Sequence, residues 1–539
     1  MSSCVILKTW SLMEISVFRV VSAPGKVLIT GAYLVLERPN AGLVLSTSAR
    51  FFAIVKPLYE LPATESWLWS WADIKVLSPQ LQKETSYKLC LRDFSLQKVS
   101  SDTGNTFVEQ SVQAAVSAGK IIIGDDHDKK DAFQKLLLRG LEITILGSND
   151  FYSYRRQIEA ACLPLVAKSL ASLPQFSLIT SNQPDAGNLD KSSWVPEVAK
   201  TGLGSSAAMT TAVVGATLVY LGIVKLPHNS GDVMNLEEMK STLDIVHALS
   251  QTAHCAAQGK VGSGFDISAA VYGSQRYVRF SPTVISAAQE HHRASALQAS
   301  GSYTLSAEAI KILLDEDWDC ERQDYSLPSS LFLILGEPGF GGSHTPSMVG
   351  AVQKWRKKEA ESADIIWKKL SFANIGVEEG FRDLKDLSLK HKDDYEDVLE
   401  DCRSEAVDQW QGLIRESDIR GKIVLALLKT RQAFEEVRCL LREMGEAAGV
   451  PIEPPSQRAL LDETMNIRGV LFAGVPGAGG FDAVFAVVIG ASTRDIVEKE
   501  WCSRGVMTLC VKEDPRGVQI EDSDPRDVVS LPLNSLTLN

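Results

Sequence analysis

Thr201-Gly202-Leu203-Gly204-Ser205-Ser206-Ala207-Ala208 is the stretch on which the reading of this chain turns. Glycines at 202 and 204 let the backbone approach a ligand and aim successive N–H groups inward. The uncharged run from Ser205 to Leu221 predicts a helix, whose positive dipole end would face the same spot. Ser205 and Ser206 can cap that helix, bond a phosphate oxygen or ligate Mg²⁺. This is the composition a phosphate cradle requires. It also suits a plain Ser-capped helix, and it fits the Gly-x-Gly-x-x-Ala variant of a dinucleotide fingerprint. A dinucleotide site wants a strand in front and an acid about 20 residues on. Pro196 to Lys200 makes a poor strand, and the next acid is Asp232. A Walker A loop is absent: Lys26, Lys120, Lys260 and Lys422 each follow Gly, but none precedes Ser or Thr. The His-Arg-Asp and Asp-Phe-Gly signatures of protein kinases are absent as well.

The composition around this loop narrows the class. With 539 residues the chain exceeds one ordinary core, so two or more domains are expected. Hydrophobic residues at 45% and charged residues at 23% exclude a wholly disordered or collagen-like chain. Asp+Glu outnumber Lys+Arg by 67 to 55, a net charge of -12, which argues against coating nucleic acid or an anionic membrane. A small anion held by a few local cations stays open. The 9 cysteines are scattered without a Cys-x-x-Cys, as in a protein of a reducing compartment. The first residues lack a signal-peptide pattern, and Met13 is a candidate alternative start. Ser535 to Asn539 matches no retention or peroxisomal tripeptide, so a cytoplasmic location is expected, with the peroxisome open. Thr201 to Val224 carries no charge, but its Ser, Thr, Gly and Ala content suits a buried soluble helix better than a membrane span.

Periodicity places further elements. Strands are expected at Phe18–Val21, where Pro24-Gly25 should end the run, at Lys26–Leu36, at Leu43–Val55 and around Trp67–Trp71 and Tyr87–Leu89. A helix should start at Thr106, a strand should span Leu141–Leu146, and Lys168–Ser193 reads as a surface excursion. Leu236–Gln258 is helical, Val271–Phe280 and Leu331–Leu335 read as strands, and Ser347–Met444 is helical and charge-rich. Gly469–Ala473 and Ala483–Ile489 read as strands flanking a glycine-rich turn. Strands and helices interleaved in two units give an α/β or α+β class, with the boundary between Ser281 and Ser329.

Two more glycine segments join the first: Ser22-Ala23-Pro24-Gly25-Lys26 and Gly474-Val475-Pro476-Gly477-Ala478-Gly479-Gly480-Phe481-Asp482. Pro-Gly-Lys, Gly-Leu-Gly-Ser-Ser-Ala-Ala and Gly-x-Gly-Gly, in that order, resemble the three motifs of the GHMP kinases. The resemblance runs from about Val17 to Val511. Ala256-Ala257-Gln258-Gly259-Lys260-Val261-Gly262-Ser263-Gly264-Phe265-Asp266 is similar to the phosphomevalonate kinase branch. Ser148-Asn149-Asp150-Phe151-Tyr152-Ser153 and Gly339 to Val349 are similar to it too. Gly31-Ala32-Tyr33-Leu34-Val35-Leu36 resembles its eukaryotic, plant-like form.

The resemblance implies a two-domain GHMP fold. An ATP-binding unit, ribosomal protein S5 domain 2-like, would cover 13–285. A ferredoxin-like unit with a helical insertion, covering 286–539, would complete the cleft. It implies transfer of the γ-phosphate of ATP to 5-phosphomevalonate, giving 5-diphosphomevalonate in the mevalonate route to isoprenoids. Gly202, Leu203, Gly204, Ser205, Ser206, Ala207 and Ala208 would cradle the ATP phosphates. Lys26 and Asp266 would be catalytic. Lys26, Ser263, Gly264, Ser343, Thr345 and Ser347 would meet the acceptor, and Gly477, Gly479 and Gly480 would shape the wall. Asn105 and Asn149 to Ser153 would lie near the nucleotide base. Mevalonate kinase has a helix carboxylate as Mg²⁺ ligand, but Ser250 to Cys255 holds no acid. His254 reads as structural, and Ser206, waters and ATP would carry the Mg²⁺. A phosphate monoester, its second pKa about 6, is already a nucleophile, so Asp266 is expected to orient rather than abstract a proton. Another GHMP enzyme such as mevalonate kinase or diphosphomevalonate decarboxylase, or a silent ligand sensor, are the competing readings. The oligomeric state is left open.

Overall fold

Two β-sheets organise the chain in a computed structural model that describes residues 18–60, 70–100, 104–179, 199–228, 235–285, 307–339, 345–414 and 418–527. The first sheet is built from β1 (Arg19–Thr30), β2 (Ala41–Pro57), β3 (Trp71–Ser78), β4 (Lys83–Cys90), β5 (Leu96–Lys98) and β6 (Leu141–Gly147). Three short strands join it: β7 (Gln275–Val278), β8 (Glu321–Asp324) and β13 (Gln519–Glu521). Its order is β13-β1-β2-β6-β3-β4-β5, with β7 paired to β2 and β8 to β7. Only the β3–β6 pair among these is parallel. Two strands of this sheet, β8 and β13, come from beyond residue 286. Sheet membership therefore does not follow a single cut of the chain at 285.

The second sheet holds β9 (Leu331–Glu337), β10 (Val470–Gly474), β11 (Val484–Ile489) and β12 (Met507–Thr508), in the order β10-β11-β9-β12. Counted within this unit the order is 2-3-1-4, the ferredoxin-like arrangement. The long helices Ala360–Lys390 and Ile419–Ala448 are inserted between its first and second strands. β10 (VLFAG) and β11 (VFAVVI) are buried at every position, which is why they read as unbroken apolar runs rather than alternating ones.

Helix Ser205–Tyr220 forms at the centre of the first unit. All but one of its residues are buried, so it is apolar around its whole circumference. It packs on β1 and β2 and against helices Thr106–Ile123 and Leu236–Gln258. Among the described residues no helix is long and apolar enough to cross a membrane. Three expectations are corrected. Lys26–Leu36 is not strand throughout, because β1 ends at Thr30 and Leu34–Leu36 forms a short 3-10 helix. Pro24-Gly25 does not end a strand: β1 runs through it, and a register shift between Pro24 and Lys26 absorbs the proline. Val271–Phe280 is not one strand, because helix Phe265–Tyr272 ends at Gly273 before β7 begins. Trp67 to Trp69, Ser343 and Met13 lie outside the described residues.

The C-terminal stretch ties the two units together. Leu509 N–H donates to Leu335 O at 2.9 Å, and Asp514 N–H donates to Ser46 O at 3.0 Å. Between them Glu513 accepts the Leu327 N–H at 3.1 Å. Burial pushes the Glu513 carboxyl up to about 7, against the Leu327 bond and the Lys385 charge, which lower it. In the unfolded chain it would ionise near 4.5. Between those values the folded state holds a proton that the unfolded state has lost. This group therefore costs stability as pH rises from about 4.5 to about 7. Glu513→Gln should remove that slope, so the difference in unfolding midpoint between variant and wild type grows across this window and levels off above it. Midpoints that stay parallel across the window would contradict the assignment.

Candidate active site

Lys26 is held at the N-terminal end of helix Ser205–Tyr220 by three separate features. Its N–H donates to Leu203 O at 2.9 Å, tying β1 to the loop. Its Nζ donates to Gly202 O at 3.1 Å. Its stem crosses Gly204, where a Cβ would stand 2.9 Å from Lys26 Cε. Gly204 also adopts φ +75° as the residue before the helix, a conformation that L side chains rarely take. Gly25 permits the close approach from the strand side: a Cβ there would meet Leu203 O at 3.1 Å and the Phe151 ring at 3.0 Å. Desolvation lowers the Lys26 amine below its ordinary value, and the charge of Asp266 opposes that shift. The ammonium lies 5.4 Å from the centroid of the Phe265 ring.

Helix geometry leaves the first N–H groups of Ser205–Tyr220 without intrahelical partners, so the loop presents donors beside a lysine. Neither Ser205 nor Ser206 caps this helix; the residue before it, Gly204, has no side chain to do so. Ser206 Oγ instead lies 3.1 Å from His254 Nε2. The same nitrogen is 3.1 Å from Gln258 Nε2 and 4.0 Å from Asp266 Oδ2. His254 is 3% exposed, and its ring centroid is 5.4 Å from that of Phe107. Burial pushes its pKa down, with Asp266 opposing, so the ring is uncharged at neutral pH.

Asp266 stands in the first turn of helix Phe265–Tyr272, where its Oδ1 accepts the Ile267 N–H at 3.0 Å. The preceding loop is fixed from beneath. Tyr277 donates its hydroxyl to Ser263 O at 3.0 Å, and Arg279 donates to Gly262 O at 2.7 Å and Leu36 O at 2.6 Å. Gly264 is required here, since a Cβ would stand 2.7 Å from the Phe280 ring and 2.8 Å from Tyr277 Oη.

The C-terminal glycine segment closes on this group. Gly477, Gly479 and Gly480 all have positive φ. Tyr33 donates its hydroxyl to Ala478 O at 2.7 Å, and Gly480 N–H donates to Ile452 O at 2.8 Å. Ala483 Cβ is 3.7 Å from where a Cβ of Gly202 would be, so this segment abuts the 202–206 loop. On another side Ser153 Oγ donates to Glu337 Oε1 at 2.6 Å, and Arg155 donates to Glu337 O at 2.7 Å. Thr345 and Ser347 open helix Thr345–Lys358. Asn105 caps helix Thr106–Ile123 and Asn149 holds Pro174 and Ser177, so both side chains serve local structure.

Residues 424–506 match the family model described as GHMP kinases C terminal. A protein of Arabidopsis thaliana named phosphomevalonate kinase, peroxisomal, is 52% identical over 508 residues, covering 94% of this chain and 97% of that protein. A phosphomevalonate kinase of Aspergillus fumigatus is 31% identical, covering 87% of this chain and 86% of its own. The chain belongs to the phosphomevalonate kinase family. Its fold is also that of the Streptococcus pneumoniae phosphomevalonate kinase solved with phosphomevalonate and AMPPNP. The TM-score there is 0.52 at 13% identity, over 92% of this chain and 99% of that one.

In this family member the motifs at 26, 202–206 and 263–266 meet at one place. Two side chains of that place were not legible as functional from their types alone. His254 reads as an ordinary helix histidine until Ser206 and Asp266 are seen on either side of it. Arg279 alternates with Tyr277 in the 275–280 run, but nothing in that pattern indicates that it reaches back to the 261–262 carbonyls. The positions of Gly202 and Gly204 allow a controlled test. Alanine at either adopts a strained φ, costing about 1–2 kcal/mol, but only at 204 does it displace Lys26. Both variants should lose similar thermal stability, while Gly204→Ala loses about 100-fold in kcat and Gly202→Ala far less. Equal losses of kcat would show that the Lys26 stem is not what Gly204 accommodates.

Proposed function

We propose that this chain transfers the γ-phosphoryl group of ATP to (R)-5-phosphomevalonate, giving ADP and 5-diphosphomevalonate. The observation that carries the reading is the Lys26 ammonium pinned to the loop at the N-terminus of helix Ser205–Tyr220, with Asp266 acting on its charge. A fixed cation beside the N-terminal end of a helix neutralises charge on a phosphoryl group in flight, which is most of what such a transfer requires. Gly202 to Ala208 cradle the ATP phosphates. Lys26 lies between donor and acceptor. A phosphate oxygen of the acceptor attacks the γ-phosphorus and the bond to the ADP oxygen breaks. The attacking group is a dianion, so no proton has to leave it, and Asp266 orients Lys26 and the acceptor. Ser263, Gly264, Ser343, Thr345 and Ser347 are assigned to the acceptor. Gly477, Gly479 and Gly480 form the wall.

The donors fit Mg²⁺ carried by the nucleotide. Among the described residues no group of three or more His, Cys, Asp or Glu could hold a metal. The hard oxygens at hand are Ser206 Oγ and the Asp266 carboxylate, which suit a cation that keeps its waters and phosphates. Bound there, Mg²⁺ supplies charge neutralisation of the phosphate oxygens. For location we propose the cytoplasm; fractionation of the tagged chain decides between it and the peroxisome that the Arabidopsis relative's name carries.

ADP release with phosphomevalonate, mevalonate and galactose offered separately tests the substrate. Turnover with phosphomevalonate alone is expected. Turnover with mevalonate but not phosphomevalonate would overturn the acceptor, and silence with all three would favour a ligand sensor.

A further inference from the structure

The contacts of His254 decide which of its possible jobs Ser206 performs. The Gln258 amide nitrogen can only donate. It meets His254 Nε2 at 3.1 Å, so that nitrogen offers a lone pair and the ring proton sits on Nδ1. Ser206 Oγ, also 3.1 Å from Nε2, faces a nitrogen without a hydrogen, so in that contact the hydroxyl is the donor and shares the lone pair with the Gln258 amide. A hydroxyl whose proton is committed this way has no hydrogen left for a phosphate oxygen. It keeps its own lone pairs, which a cation can use.

We propose that His254, oriented by Gln258, is a positioning residue that makes Ser206 an acceptor toward the nucleotide's cation rather than a donor to its phosphates. The assignment rests on the phosphotransfer reading above and deepens it. The burial of the ring supports it: at 3% exposure, with Phe107 alongside, the imidazole cannot swing away to water. The groups that face the ring are Ser206 from helix Ser205–Tyr220, Gln258 from its own helix, Asp266 from helix Phe265–Tyr272 and Phe107 from helix Thr106–Ile123, and the charge of Lys260 also acts on it.

The test is calorimetric titration of AMPPNP into the full chain with and without MgCl₂, which needs no acceptor and no turnover. In wild type, MgCl₂ should tighten AMPPNP binding. His254→Leu keeps the ring's bulk but offers no lone pair. It should lose about tenfold of the Mg²⁺-dependent gain while Mg²⁺-free affinity stays within about twofold. His254→Gln restores an acceptor oxygen and should recover most of the gain. A His254→Leu protein with the full Mg²⁺ gain would overturn the proposal. So would a loss of both affinities together, which marks a purely structural ring, or a Gln variant no better than Leu. Because binding is read without an acceptor, these outcomes are independent of whether wild type turns over phosphomevalonate.

Discussion

A lysine laid across a glycine is the constraint on which the rest of the site depends. Withdrawing an ammonium from water is costly, and it is tolerated only where carbonyls, charge or aromatic faces replace the lost solvent. Lys26 has the Gly202 carbonyl, the Phe265 face and the charge of Asp266. Each of these partners imposes a demand elsewhere. The carbonyl requires the loop to turn outward at Gly202. The stem requires no Cβ at 204, and the strand can reach the loop only because residue 25 has none either. The segments at 25–26, 202–204 and 265–266 form one contact.

The second unit meets that contact through short hydrogen bonds and packing, while ion pairs such as Arg276–Glu378 at 2.7 Å join the units elsewhere. Tyr33 and Ile452 grip the 478–480 segment, and Ala483 abuts Gly202. The C-terminal stretch returns to pair β13 with β1, on the strand that carries Lys26. Arg50, largely buried, donates to Ser22 O and Gly517 O and so clamps that return. The strand bearing the lysine is thereby held by residues from both ends of the chain, which suits the role proposed for Lys26.

Much of this was legible in the residues, and the failures have physical causes. Helix Leu236–Gln258 is legible to its ends because Asn235 caps one and Gly259, in the left-handed region, closes the other. Strands β10 and β11 are legible because both faces are buried and the runs are uninterrupted. Pro24-Gly25 misleads because a proline in a strand usually marks an edge or a break, whereas here a bulge takes up the missing donor. Val271–Phe280 misleads because a short apolar helix and a short apolar strand share one composition, and only Gly273 divides them. Ser206 looks like a cap by type, but its partner lies 48 residues away, beyond the reach of any local pattern. The pairing of β13 with β1 is equally non-local.

The central claim is that Asp266 works by holding charge in place and not by removing a proton. The direct measurement is kcat against pH for wild type and Asp266→Asn with phosphomevalonate. The acceptor phosphate itself, with its second pKa of about 6, should give an acid limb that both proteins share, the variant lying far below wild type throughout. An acid limb present in wild type and missing from Asp266→Asn would contradict the account and make Asp266 a base.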